Sequence, residues 1–260
     1  MTAVSTREHW IDTPHGRLFA RRWMPGGGGA AAPMVLFHDS LGCVALWREF
    51  PEQLARASGR EVIAYDRLGF GQSDAHPGTL ARGFVEDEAR QGFAALREQL
   101  GFERFVAFGH SVGGGMAVGC AAAFGTACEA LVLESAQAFV EDRTLEGIRA
   151  AERDFARPGG LERLAKYHGD KAHWVLRAWV DTWLSDAFGD WNLDDQLARL
   201  QCPLLCLHGE QDEFGSARHP ERFVARAAGP ATMKLLADCG HVPHRQKAAE
   251  VLAQVCAFLG

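Results

Sequence analysis

The stretch Phe105-Val-Ala-Phe-Gly109-His110-Ser111-Val112-Gly113-Gly114-Gly115 decides how the rest of the chain is read. Four apolar residues lead into a Gly-x-Ser-x-Gly turn, and an alanine- and glycine-rich helical pattern over 113–124 follows at once. The pentapeptide alone recurs by chance. Between a strand and a helix it has a specific physical reading, because the sharp turn strains the serine backbone and presents the hydroxyl at the carboxyl edge of a sheet. Gly109 and Gly113 leave room where Cβ atoms would collide across the turn. The helix that follows directs its N-terminus at any negative charge that develops there.

Outward from this turn the chain alternates short apolar runs with helical patterns, as an α/β sheet requires. Central strands are expected at 34–38, 61–66, 105–109, 130–134, 203–208 and 232–237. Most are continuously apolar, as parallel strands covered on both faces are. Residues 8–13 and 17–23, joined through Pro14-His15-Gly16, are expected to form an antiparallel hairpin at one edge. Residues 26–33 read as a surface loop, and helices are expected over 46–57, 84–100, 113–124 and 248–259. Residues 135–201 break the rhythm, being helical in character and longer than a crossover needs. They are expected to be an inserted helical cap, leaving 1–134 and 202–260 as the core. The cap carries four of the seven tryptophans, at 174, 179, 183 and 191. Trp179 and Trp183, four apart on one helical face, are expected either to line an apolar pocket or to pack the cap onto the core.

A serine hydroxyl is a weak nucleophile and needs a base within reach. His241, in a glycine-containing loop after the last strand, is the first candidate, and His244 beyond Pro243 is its competitor. The base needs an anion to fix its tautomer. Asp212, just past the strand at 203–208, is expected to supply it, with Glu134 at the end of the strand 130–134 as the rival; Glu210 and Glu213 read as solvated. A tetrahedral oxyanion needs two preorganised N–H donors. The amide of Val112 is one, and the loop after the first central strand supplies the other, Ser40 first and Leu41 second. Leu41 also stands where substrate would lie. His38 is read as a structural brace of that loop.

Composition removes several classes. A chain of 260 residues with 47% hydrophobic and 23% charged residues has the balance of a globular protein. The net charge of −6 and the lack of a basic cluster speak against nucleic acid or an anionic membrane as partner. No apolar run approaches a membrane span, and the first ten residues lack the apolar core of a signal peptide. The seven cysteines are scattered with no C-x-x-C pair, so neither a metal site nor a cofactor is expected, and a reduced cytoplasmic setting follows.

With these motifs in order, His38-Asp-Ser-Leu-Gly42, Asp66-Arg-Leu-Gly69-Phe-Gly71-Gln-Ser73, Gly109-His-Ser111-Val-Gly113 and Leu207-His-Gly209-Glu-Gln-Asp212 followed by Gly240-His241, the chain resembles the α/β-hydrolase superfamily from its first strands to its last helix. The resemblance implies a mainly parallel eight-stranded sheet, a helical cap after the sixth strand and a Ser-His-Asp triad. One departure stands out, for Asp39 occupies the place where the family usually has glycine. Ser111 argues against the haloalkane dehalogenases and epoxide hydrolases, which use an aspartate nucleophile. Carbon–carbon bond hydrolases typically carry a Ser-Gly-Pro-Gly loop and a tryptophan after the histidine, where this chain has Asp-Ser-Leu-Gly and Val242. The expected activity is hydrolysis of a small carboxylic ester or related acyl substrate. Carbon–carbon bond hydrolysis, cofactor-free haloperoxidase-like chemistry and a non-catalytic ligand-binding role are the alternatives.

Overall fold

The apolar runs condense into strands β1 (Val4–Thr13), β2 (Gly16–Pro25), β3 (Met34–Phe37), β4 (Val62–Tyr65), β5 (Phe105–His110), β6 (Cys128–Glu134), β7 (Leu204–Gly209) and β8 (Ala231–Leu236) in a computed structural model that describes residues 3–27 and 31–260. They form one sheet in the order β1-β2-β4-β3-β5-β6-β7-β8. β2 runs antiparallel to both neighbours, and all pairs from β4 to β8 are parallel. Every residue of β3, β4, β5 and β7 is buried, which is why these strands read as unbroken apolar runs. β1 is the mostly exposed edge and turns into β2 where Thr13 opposes Gly16. Of the expected loop at 26–33, residues 28–30 lie outside the described residues.

The helices are α1 (Phe50–Ser58), α2 (Phe84–Asp87), α3 (Gly92–Leu100), α4 (Val112–Phe124), α5 (Asp142–Phe155), α6 (Gly160–His168), α7 (Ala172–Trp183), α8 (Asp194–Leu197), α9 (Arg218–Arg226), α10 (Pro243–Gln246) and α11 (Ala248–Leu259). Two expected helices are broken. The one at 46–57 is a 3-10 turn followed by α1, because Arg48 between them takes a positive φ of 53°. The one at 84–100 divides into α2 and α3. There Glu88 turns its carboxylate inward to accept a hydrogen bond from the Tyr65 hydroxyl at 2.7 Å. That carboxylate fills the space a side chain at Gly92 would need.

Alternate residues of each central strand feed two cores. Met34 and Leu36 face α1 and α11 beside Phe50, Leu54, Val251 and Val255. Val35 and Phe37 face the opposite layer with Phe93 of α3 and Met116 of α4. Each such side chain stabilises the fold by roughly 1.5–3 kcal/mol on burial. Between β6 and β7 the chain runs through α5, α6, α7 and α8. Trp183 of α7 is buried against Phe188 and Trp191, ring centroids 5.2 and 5.6 Å away. Residues of α5 and α7 reach the carboxyl end of β5 and share a cavity with Ser111.

Candidate active site

Ser111 sits between β5 and α4 with φ 56° and ψ −128°, a strained conformation for a non-glycine residue. The neighbouring backbone leaves no choice. A Cβ on Gly109 would stand 2.4 Å from the Gly113 carbonyl oxygen, and one on Gly113 would stand 2.2 Å from the Phe37 carbonyl oxygen. α4 therefore packs against the strand ends by backbone contact. The Ser111 amide donates to the Glu134 carbonyl at 2.9 Å, which ties the turn to β6.

His241 follows β8, and its Nδ1 lies 2.9 Å from both carboxylate oxygens of Asp212. Asp212 is wholly buried at the end of β7, and its Oδ1 also accepts the Phe214 amide at 2.8 Å. Burial by itself raises the pKa of this carboxyl, but the His241 imidazole beside it outweighs that and holds it below the usual carboxylate range. The rival pair is brought together elsewhere: Glu134 Oε2 lies 2.5 Å from Nδ1 of His244. Each acid has its own histidine. His110, just before Ser111, donates from Nε2 to the His241 carbonyl at 2.8 Å and so fixes the His241 loop against the turn.

A cavity of about 100 Å³ opens among these groups. Ser111, His241 and Ser40 line it, and Leu41, Trp179 and Trp183 are in its wall. Trp183 packs on Phe188 and Trp191 within the segment 135–201, whereas Trp179 packs its ring on Phe214 beyond β7, with centroids 5.8 Å apart. A larger depression, about 590 Å³, lies near the β1–β2 turn and residues 76–99 and touches neither Ser111 nor His241. The smaller cavity is the one that holds both Ser111 and His241. The Ser111 hydroxyl donates to Oε1 of Gln137 at 3.4 Å, and among the described residues it forms no hydrogen bond to His241. Gln137 escaped the sequence reading, and its only signal was a place just beyond the carboxyl end of β6.

The Val112 amide, first in α4, has no partner inside the helix. The Ser40 amide makes no hydrogen bond among the described residues, whereas the Leu41 amide donates to Asp39 Oδ1 at 2.8 Å. Asp39 thus takes the second candidate donor for itself. His38 donates from Nδ1 to the Asp39 carbonyl at 2.7 Å and accepts the Arg67 amide on Nε2 at 3.2 Å. Burial, then the Arg67 charge, push its pKa well down, so the ring is a neutral brace. A second brace was not foreseen. His168 of α6 donates to the Leu41 carbonyl at 3.0 Å and accepts the Gly71 amide at 2.9 Å, so one imidazole joins the segment 135–201 to two loops of the core.

A family model described as alpha/beta hydrolase fold matches residues 32–157, and with the sheet order it shows that the chain has the α/β-hydrolase fold. The dihydrolipoyllysine-residue acetyltransferase component of the acetoin cleaving system of Pseudomonas putida is 28% identical over 94% of the chain and 67% of its own length. The human serine hydrolase BPHL is 29% identical over 73% of the chain and 66% of its own length. A thermophilic esterase from Thermogutta terrifontis, solved with malate bound, superposes with a TM-score of 0.71 at 22% identity, covering 97% of this chain and 98% of that one. Among the described residues no helix is long and apolar enough to cross a membrane.

Proposed function

We propose that the protein is a serine hydrolase of small carboxylic esters or related acyl compounds, working through an acyl-enzyme on Ser111. The observation that carries this reading is the Asp212–His241 pair at 2.9 Å opening onto the cavity that holds the strained Ser111. With Nδ1–H committed to Asp212, Nε2 of His241 is the basic nitrogen. Substrate entry turns the hydroxyl from Gln137 toward it. Nε2 takes the serine proton as Oγ attacks the ester carbonyl, and the Val112 and Ser40 amides receive the oxyanion. The same proton passes to the leaving alcohol as the C–O bond breaks. Water, deprotonated by His241, then releases the acid and restores the serine.

The small cavity supports a short acyl group, and the names of the esterase and serine hydrolase relatives agree with the class. Residues 135–201 are read as a cap over the site, since α5 and α7 contribute to the cavity wall. A reduced intracellular setting and a small-molecule partner belong to the same proposal. The test is labelling by a fluorophosphonate together with turnover of a series of aryl esters and a vinylogous diketone. Labelling at Ser111 and ester turnover abolished in Ser111→Ala support the proposal. An unlabelled protein, or a preference for the diketone, overturns the esterase reading.

A further inference from the structure

The departure at Asp39 has a physical consequence. A carboxylate at the rim of this cavity opposes any oxyanion forming beside Ser40. His110 stands where that charge can be balanced. Its Nδ1 is 3.5 Å from Asp39 Oδ2, and its Nε2 is bonded to the His241 carbonyl. Glu134, fully buried, approaches from the end of β6, with one oxygen on His244 and the other lacking any hydrogen-bond donor among the described residues. The groups facing the His110 ring are therefore Asp39 after β3, Glu134 of β6, and His241 and His244 after β8, with the neutral Trp47 indole 6.2 Å away. Two carboxylates converge on one imidazole, and the Arg67 guanidinium, which donates to the Asp39 carbonyl at 2.9 Å, is a further cation beside Asp39.

We infer that His110 is a positioning residue, held as an imidazolium between Asp39 and Glu134, which neutralises Asp39 and locks the oxyanion loop and the His241 loop at their working separation. This rests on the serine hydrolase reading of the same site. A neutral His110 would leave Asp39 with the Leu41 amide and the fully buried Glu134 with His244 as their remaining partners, and under-compensated carboxylates are costly to bury. Burial alone lowers the pKa of this histidine. The Asp39 carboxylate 3.5 Å from Nδ1, which has no hydrogen-bond partner among the described residues, and the charge of Glu134 reverse that and carry it to about 9. The ligand-type atoms of His110, Glu134 and His244 all lie within 4.8 Å of one another, and within this group Glu134 and His244 are paired at 2.5 Å.

The experiment is an NMR pH titration of the imidazole rings in histidine-labelled protein, run on the wild type, His110→Asn and Asp39→Asn. One ring is expected to stay protonated through about pH 8. Its signal is expected to vanish in His110→Asn and to titrate at lower pH in Asp39→Asn. No such ring, or one whose titration is indifferent to Asp39→Asn, overturns the inference. Asp39→Asn changes only charge and serves if His110→Asn does not fold. Steady-state hydrolysis of p-nitrophenyl acetate gives the functional readout. Asp39→Asn is expected to lower kcat roughly ten- to hundredfold with little change in KM, as a displaced donor does. Its alkaline limb is expected to move to lower pH than that of the wild type. A loss confined to KM, or an unmoved limb, counts against the positioning role. Fluorophosphonate labelling of the wild type separates the two claims: an unlabelled protein with a protonated His110 sinks the hydrolase reading alone.

Discussion

At the residue scale, the two acid–histidine pairs make opposite predictions. Asp212→Asn removes the charge that orients His241 while leaving an acceptor for the Phe214 amide. Ester turnover is expected to fall by roughly 10⁴ with the melting temperature little changed. Glu134→Gln acts through His244, and its loss is expected to stay below the roughly hundredfold of an acid–base group. Parallel kinetics and melting curves of the two variants check the assignment. His110 also predicts a pH dependence of stability. Its folded pKa is raised from 6.5 to about 9, so its contribution is complete below 6.5 and is lost as pH rises through about 9. Thermal melts between these values are expected to show a falling midpoint, with a shallower fall in Asp39→Asn.

At the scale of elements, the site depends on how closely α4 approaches β3. A methyl at Gly113 meets the Phe37 carbonyl oxygen, an atom held in the sheet that cannot turn aside. Gly113→Ala is expected to cost about 1–3 kcal/mol of stability by overpacking and to slow labelling of Ser111. Denaturant melts and labelling rates measure the two effects. The segment between β6 and β7 has its own aromatic centre. Trp183→Ala would empty a buried position beside Phe188 and Trp191, and a loss of about 3–5 kcal/mol is expected. The same segment is tied to the core by His168, whose two bonds reach the loop after β3 at Leu41 and the loop at Gly71.

At the scale of the whole molecule, the cavities form a series. A void of about 10 Å³ shares Ser40, Trp179 and Trp183 with the site cavity, and Arg67, Phe70, Leu80 and Phe84 with the 590 Å³ depression. Trp179 is half-buried and lines both the site cavity and the void of about 10 Å³. Trp179→Ala is expected to join the spaces and shift kcat/KM from acetyl toward octanoyl esters, by roughly tenfold or more. A p-nitrophenyl ester series on both proteins decides it, and an unchanged preference would show that this wall does not set chain length.

The sequence by itself determined the eight-stranded α/β sheet and the turn at Ser111, because fully buried parallel strands and a glycine-flanked turn each leave a local pattern. It also put His241 ahead of His244 as the candidate base and Asp212 ahead of Glu134 as the candidate acid. Only the tertiary structure paired Asp212 with His241 and Glu134 with His244. Those residues are 29 and 110 positions apart, and which meets which depends on strand register rather than on any neighbouring residue. The breaks at Arg48 and Glu88–Gln91 were hidden for the same reason, since a helical pattern does not show a carboxylate drawn inward by a distant tyrosine. Asp39 was legible as an oddity in its loop. That His110 lies beside it, with Glu134 approaching from another strand, is a property of three chain ends meeting at one edge of the sheet.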